Sequence, residues 1–378
     1  MPPDLLALLI IAPSLLYACI GLACTRAFFG RPARPTGHTP PLTILKPLKG
    51  LDADAYENFA SFCRQDYPDY QIVFAVASAT DPVLPVIHRL MANFPERQID
   101  LVVDSRLHGP NHKVGNLINA YPRARHDLLV VCDSDIRVGE RFLREVAAPF
   151  ADPQVGLVSS LYHSPRVRGV AGALEAMGLT VELIPNVLVA RRLEGLSFAL
   201  GAAMTVRRAA LEAIGGFPAL ADYLADDYQL GNQVCRAGWR LELSSYFVES
   251  RVPREGLVAI LSRQLRWSRA MRASRPLGYF GSGITQPFPL ALLALVLTGG
   301  AAAGWRAVAL LYLVRGLVAL VLSRHYLADR LFPRWLWLLP LRDVVAFTTW
   351  ALAFLGNRIQ WRGVCYRLVA EGKMVELP

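Results

Sequence analysis

Three hydrophobic patterns follow one another along the chain, and each predicts a different kind of element. From Leu5 to Cys24 the residues are apolar or small apart from Ser14, a run approaching the roughly 20 residues that a membrane-spanning helix requires. Beyond residue 41 the pattern breaks into short apolar runs, Leu42–Leu45, Gln71–Ala77, Ile99–Val103, Leu128–Cys132 and Val155–Ser159, which read as buried strands. Amphipathic stretches near Tyr56–Cys63, Val83–Asn93, Lys113–Ala120 and Arg141–Pro149 separate them and predict helices. Strands and helices alternating at this spacing predict an α/β fold, a mixed and mostly parallel sheet flanked by helices, with its ligands at the carboxyl ends of the strands. Long apolar runs return at Pro287–Gly304, Ala307–Leu322 and Leu336–Leu355.

The flanks of these runs set an expected topology. Ahead of the first run stands Asp4 and no Lys or Arg, which argues against a cleaved signal peptide. Arg26, Arg31 and Arg34 follow it, so the positive-inside rule places the next segment in the cytoplasm and the N-terminus outside. Arg315 and the Arg342–Asp343 pair fall within the later runs, where charges face protein, water or each other. Three C-terminal spans would leave Arg358, Arg362 and Arg367 outside, against the same rule; two to three spans are expected, one of them re-entrant or interfacial. The expected organisation is an anchor (1–29), a Pro- and Gly-rich linker (30–41), a globular domain (42–259), an interfacial amphipathic helix (260–283), C-terminal apolar segments (284–357) and a basic tail (358–378).

Composition agrees with a chain partly in lipid: 53% of residues are hydrophobic and the mean hydropathy is +0.32, against about 45–50% apolar for soluble proteins. The net charge of +10 comes almost entirely from Arg, since Lys occurs only at Lys46, Lys49, Lys113 and Lys373. No basic helix or stacking-aromatic pattern of a nucleic-acid module accompanies it, which leaves an anionic membrane surface or a phosphorylated substrate, and no nucleic acid, as the partner. The six cysteines form no CxxC pair and no metal-ligand spacing with His, so free thiols in a reducing compartment are expected.

A few residues carry chemistry within this layout. Asp133-Ser134-Asp135 directly follows the run Leu128–Cys132, and two carboxylates at i and i+2 can hold a hard divalent cation against substrate phosphates, although Asp pairs are also common in plain turns. Asp222, Asp226 and Asp227 precede a helical segment; an acidic first turn is favoured by the helix dipole in any case, and adjacent Asp226 and Asp227 cannot point the same way. Arg263 and Arg266 share a helix face with Trp267 one turn on from Arg263, a set that suits phosphate oxygens or, equally, lipid headgroups. Asp81 follows the run Gln71–Ala77, where it can meet a nucleoside or simply make an Asp-Pro turn, and Lys113 opens a helix in a position suited to a diphosphate. Gly215-Gly216 after Arg208–Leu211 reads as a helix C-cap.

In this order the pieces resemble the GT-A glycosyltransferases of the ceramide glucosyltransferase type, family 21, relatives of the large family 2. That family shows an early Asp, a DxD-like site, a late Asp and a (Q/R)xxRW box between membrane segments; here Asp81, Asp133 with Asp135, Asp227 and Arg263/Arg266/Trp267 match. The phrases Leu45–Gly50, Cys63–Pro68 and Asp133–Val138 are similar to the family as well, and the resemblance runs from about Leu42 to Arg272. The stretches Ala225–Gly231 and Pro185–Ala190 look similar to the bacterial hopanoid-biosynthesis subgroup, inferred to glycosylate the polyol tail of a triterpenoid from an N-acetylglucosamine donor. The early site departs from its relatives in lacking a second acidic residue beside Asp81. The resemblance implies an inverting transfer of glucose or N-acetylglucosamine from a UDP-sugar to a membrane lipid hydroxyl, in a bacterial inner membrane with the catalytic domain cytoplasmic. It implies Asp227 as catalytic base, Asp133 and Asp135 on Mg²⁺ or Mn²⁺, Asp81, Lys113, Asp133, Arg263 and Arg266 on the donor, and Trp267 on the acceptor. A processive polysaccharide synthase and a non-catalytic membrane scaffold are the rival expectations.

Overall fold

The computed structural model describes residues 1–32, 37–165, 167, 169–251, 256–329, 332–361 and 363–377. Arg34, part of the linker and Arg362 therefore lie outside the described residues. The chain forms two compact units, one of residues 32–163, 196–253 and 372–378, the other of residues 1–31, 164–195 and 254–371.

The first unit is built on an eight-stranded mixed sheet: β1 (Leu42–Pro47), β2 (Tyr70–Val76), β3 (Gln98–Val103), β4 (Leu128–Cys132), β5 (Ile136–Arg137), β6 (Val155–His163), β7 (Ala203–Arg207) and β8 (Arg240–Ser250). Their order is β3-β2-β1-β4-β7-β6-β8-β5. The first four run parallel, β7 is antiparallel to β4 and β6, β8 is parallel to β6, and β5 is antiparallel to β8. The five strands read from the sequence are all present. β5, β7 and β8 escaped notice: β5 is two residues long, and the other two are more polar, with Thr205 and Arg207 in one and Glu242, Ser244 and Glu249 in the other.

β1, β2 and β4 are buried along their whole length, which is why they read as unbroken apolar runs. Alternation divides the core into two layers. Leu42 and Ile44 of β1 and Leu128, Val130 and Cys132 of β4 pack with Phe59, Phe62 and Phe142 on one face. Leu45, Leu129 and Val131 pack with Val114, Leu117 and Leu230 on the other. The chain lays β2 and β3 to one side of β1 and then crosses to lay β4 on the other, so the topology switches between β1 and β4, where open α/β sheets hold their ligands.

The second unit is helical. Among the described residues, four helical stretches are long and apolar enough to cross a membrane: Pro3–Phe29, Gly169–Leu193, Ala302–Tyr326 and Phe332–Ala353. A bent pair, Pro276–Thr285 and Pro287–Leu297 with a 48° angle between its halves, makes five if it counts as one span. The helix of Gly169–Leu193 was not expected: the stretch drawn as one globular domain (42–259) leaves the sheet unit at Ser164 and rejoins it at Leu196. Glu175, Glu182 and Pro185 had disguised it as a soluble segment.

Within this unit several buried charges are paired. Arg342 donates from Nε and Nη2 to the Glu182 carboxylate at 2.7 and 2.6 Å and from Nη1 to the Gln264 side-chain oxygen at 2.6 Å. Arg315 meets Asp343 at 2.6 Å, which is how the charged positions within apolar runs were expected to resolve. Ala7 and Ile11 pack on Ala291, Ala294, Ala307 and Leu311, small residues that let helices approach closely. The segment read as a basic tail contains an antiparallel strand pair, Arg358–Trp361 with Val364–Leu368.

Candidate active site

The carboxyl edge of the parallel strands gathers the acidic residues of the sheet unit. Cys132 ends β4 with its side chain in the layer of Phe62 and Phe142, so alternation turns Asp133 toward the opposite layer, where the helix His112–Ala120 lies. There the Lys113 ammonium sits 2.8 Å from Asp133 Oδ1 and 3.3 Å from Asp226 Oδ2. One lysine thus joins the DxD loop to the late acidic cluster, residues nearly a hundred positions apart. Burial alone would lower the Lys113 pKa, but Asp133 and Asp226 outweigh it and hold the group well above its ordinary value.

Asn111, which the sequence pattern did not single out, organises this junction. Fully buried, it caps the helix by accepting from Lys113 N and Val114 N at 3.1 and 3.2 Å. Its Nδ2 donates to Tyr223 O at 2.8 Å and to Asp226 Oδ1 at 3.3 Å. The available signal was an Asn directly before a helical pattern. Gly109 makes the approach possible: its φ is +147°, and a Cβ there would stand 2.9 Å from the Ala221 carbonyl oxygen.

Asp226 and Asp227 open the helix Asp226–Arg236 and point apart as anticipated, Asp226 to Asn111 and Lys113, Asp227 over Gly201. A Cβ on Gly201 would lie 2.9 Å from Asp227 Oδ2. Burial, with the adjacent charge of Asp226, pushes Asp227 up to about 6 against the opposing pull of Lys113; the charge of Asp133 also reaches it. Burial and the charge of Asp133 likewise push Asp135 up to about 6, although the Ser250 hydroxyl donates to it at 2.9 Å. Each carboxylate is thus held at a place where the ionised form is resisted, and added positive charge would relieve it.

Among the described residues no three His, Cys, Asp or Glu converge as a cage for a metal. Asp133 and Asp135 supply two carboxylates two residues apart, and the resisted ionisation of Asp135 fits a hard cation that completes its shell with phosphate oxygens and water.

Asp81 accepts from Gly50 N at 3.1 and 3.0 Å and from Val83 N at 3.0 Å, linking the loops that follow β1 and β2. Arg263, Arg266 and Trp267 lie on the helix Leu257–Ser274 of the helical unit. Arg263, expected on the donor, grips Glu175 with Nε and Nη2 at 3.1 and 2.6 Å. Arg266 lies over the Trp361 ring at 5.8 Å, and Trp267 is 41% exposed.

The C-terminal segment also reaches the acidic loop. Met374 N donates to Asp222 O at 2.7 Å, Leu224 N donates to Gly372 O at 3.2 Å, and the Lys373 ammonium lies 5.4 Å from the Tyr223 ring centre. Nothing in a basic tail announces this pairing.

A doubly wound sheet with an acidic pair at the strand-order switch is the layout of a GT-A glycosyltransferase. The chain belongs to glycosyl transferase family 21, whose family model matches residues 6–374. It is 26% identical over 238 residues to ceramide glucosyltransferase 3 of Caenorhabditis elegans, 63% of this chain and 52% of that one. It is 29% identical over 150 residues to a ceramide glucosyltransferase of Gibberella zeae, 36% of this chain and 28% of that one. The chain thus spans about half or less of the length of these curated relatives. Among solved structures, the mannosyltransferase PcManGT from Pyrobaculum calidifontis, in complex with GDP-Man and Mn2+, superposes over 90% of this chain and 99% of its own with a TM-score of 0.52 at 20% identity, a likeness of fold.

Proposed function

We propose that this glycosyltransferase moves glucose or N-acetylglucosamine from a UDP-sugar onto the hydroxyl of a membrane lipid, with inversion at the anomeric carbon. The observation that carries the reading is Lys113, bound at once to the DxD carboxylate Asp133 and to Asp226 beside Asp227. A donor's diphosphate at that lysine lies against the acidic pair and within reach of the base. Curated relatives that glucosylate ceramide support a lipid acceptor, either a ceramide or, by the similarity of Ala225–Gly231, a hydroxylated hopanoid.

Asp133 and Asp135 would hold Mg²⁺ or Mn²⁺, and the cation would supply positive charge against the departing diphosphate. Lys113 adds its own charge to the same leaving group, and its salt links keep the ammonium in place before the donor arrives. Asp227 takes the proton of the attacking hydroxyl, and its raised pKa makes it a stronger base than an ordinary carboxylate. Asp226 and Asn111 orient the first turn that presents it. Asp81 braces the loops on the nucleoside side. The family motif assigns Arg266 to the diphosphate and Trp267 to the acceptor; Arg263 joins them only by exchanging Glu175 for phosphate. The apolar helices hold the enzyme in the membrane, which we take to be a bacterial inner membrane with the sheet unit in the cytoplasm.

Full-length protein in nanodiscs, given UDP-glucose or UDP-N-acetylglucosamine with ceramide or a polyol hopanoid, is expected to yield one glycolipid by mass spectrometry, and excess EDTA to stop its formation. Undiminished turnover in EDTA removes the metal from the scheme. Long polymer in place of glycolipid makes the chain a synthase, and no binding of UDP with Mn²⁺ makes it a scaffold.

A further inference from the structure

Alternation along β1 places residues 42, 44, 46 and 48 in one apolar layer, and three of them are Leu42, Ile44 and Leu48. The fourth is Lys46. Its side chain is fully buried, its ammonium nitrogen lies 3.9 Å from the centre of the Phe62 ring and 5.8 Å from that of Phe59, and it donates to the main-chain oxygen of Asp133 at 2.9 Å. Removing an ammonium from water is costly, and apolar residues of similar volume in place of buried charge are often neutral or stabilising, so stability alone gives little reason for the lysine. The aromatic faces offset part of that cost, and burial still pulls the Lys46 pKa down, opposed by Cys132, Asp135, Asp133 and Asp52.

What the lysine reaches gives the reason. The loop after β4 is tethered at each residue of its acidic motif: Ser134 Oγ donates to Asp52, Asp135 accepts from Ser250 Oγ at 2.9 Å while its carbonyl accepts from Arg251 N at 3.1 Å, and Asp133 N donates to Ala202 O at 3.3 Å. The Asp133 carbonyl accepts from Lys46 Nζ at 2.9 Å, on the side of the aromatic layer, and from Ile136 N of its own loop at 3.4 Å. Asp133 is therefore fixed from both faces of the sheet, its carboxylate by Lys113 and its backbone by Lys46.

We propose that Lys46 is a positioning residue of the donor site, a buried ammonium that sets the height and tilt of Asp133 so that its carboxylate and that of Asp135 engage one cation and a nucleoside diphosphate. The proposal rests on the metal-dependent reading given above. Lys46 touches neither donor nor acceptor; it acts through the backbone of Asp133.

The test compares full-length wild type with Lys46→Met and Lys46→Gln in detergent or nanodiscs, reading the melting temperature and the binding of UDP in the presence and absence of Mn²⁺. The expected result is a melting temperature of Lys46→Met equal to or above that of wild type, together with Mn²⁺-dependent UDP affinity weakened about tenfold or more, and a smaller loss in Lys46→Gln, which keeps a donor near the carbonyl. A folded variant that binds Mn²⁺ and UDP as wild type does overturns the proposal while leaving the metal reading intact. Failure of both variants to fold also overturns it, because the lysine is then a requirement of the fold. Wild type that binds UDP equally with and without Mn²⁺ sinks the metal reading itself and this proposal with it.

Discussion

The two units of the chain bury charge in opposite ways. In the helical unit Arg263 faces Glu175, Arg342 faces Glu182 and Arg315 faces Asp343, each cation matched to a carboxylate within an apolar setting. In the sheet unit Asp133 and Asp226 share the Lys113 ammonium, Asp227 stands beside Asp226, Asp135 follows Asp133 in the same loop, and Lys46 meets the Asp133 backbone, so carboxylates outnumber cations. Matched pairs describe a finished scaffold. An excess of carboxylate over cation at the carboxyl edge of a parallel sheet fits a place prepared for something positive and for a proton.

The sharpest way to break that contrast is to alter one group on each side of it. Asp227→Asn keeps the shape and removes the base; transfer is expected to fall on the order of 10⁴-fold, while calorimetry still reports UDP binding. A rate close to wild type reassigns the base. In the helical unit Arg342→Ala leaves Glu182 buried alone and is expected to cost about 3–5 kcal/mol, seen as a lower melting temperature or lost expression, whereas the joint change of Arg342 and Glu182 to methionine is expected to restore most of it. If the single and double variants are equally unstable, the pairing is not what the charges are for.

Removing residues 372–378 takes away the backbone partners of the loop before Asp226, Gly372 O and Met374 N. A loss of activity on the order of 10²-fold with an unchanged melting temperature is expected. The pH profile sharpens the contrast further. Because Asp227, as the proposed base, acts in its ionised form and its pKa is raised to about 6, kcat/KM is expected to fall as the pH drops through about 6. Asp226→Asn removes the neighbouring negative charge, so the fall is expected at a lower pH; an unmoved limb assigns the ionisation to another group. The smallest effect belongs to Asn111→Ala, where loss of the helix cap costs roughly 1 kcal/mol and loosens Lys113, read as weaker UDP binding.

Much of the sheet was legible because β1, β2 and β4 are buried on both faces and leave unbroken apolar runs, and the DxD loop was legible because it follows one of them. β5, β7 and β8 were not: β5 is only two residues long, and β8 alternates Leu241 and Leu243 with Glu242 and Ser244 in a pattern shared with loops. Asn111 and Lys46 were invisible as site residues for another reason. Their importance lies in which distant backbone atoms they meet, the carbonyls of Tyr223 and Asp133, and those meetings are tertiary. The helix Gly169–Leu193 was obscured by Glu175 and Glu182, whose arginine partners stand 88 and 160 positions further along the chain, so that neither charge looks matched from its neighbours in sequence.

The return of Gly372–Met374 to the loop of Asp222 to Leu224 bears on when the enzyme becomes competent. During synthesis the sheet can fold once β8 has left the ribosome, but the loop that carries Asp226 gains these contacts only after every apolar helix has been translated and has had its chance to insert. Until residues 372–374 have been made, the loop ahead of Asp226 lacks its bonds to Gly372 and Met374, so the acidic cluster is the last part of the sheet unit to be completed.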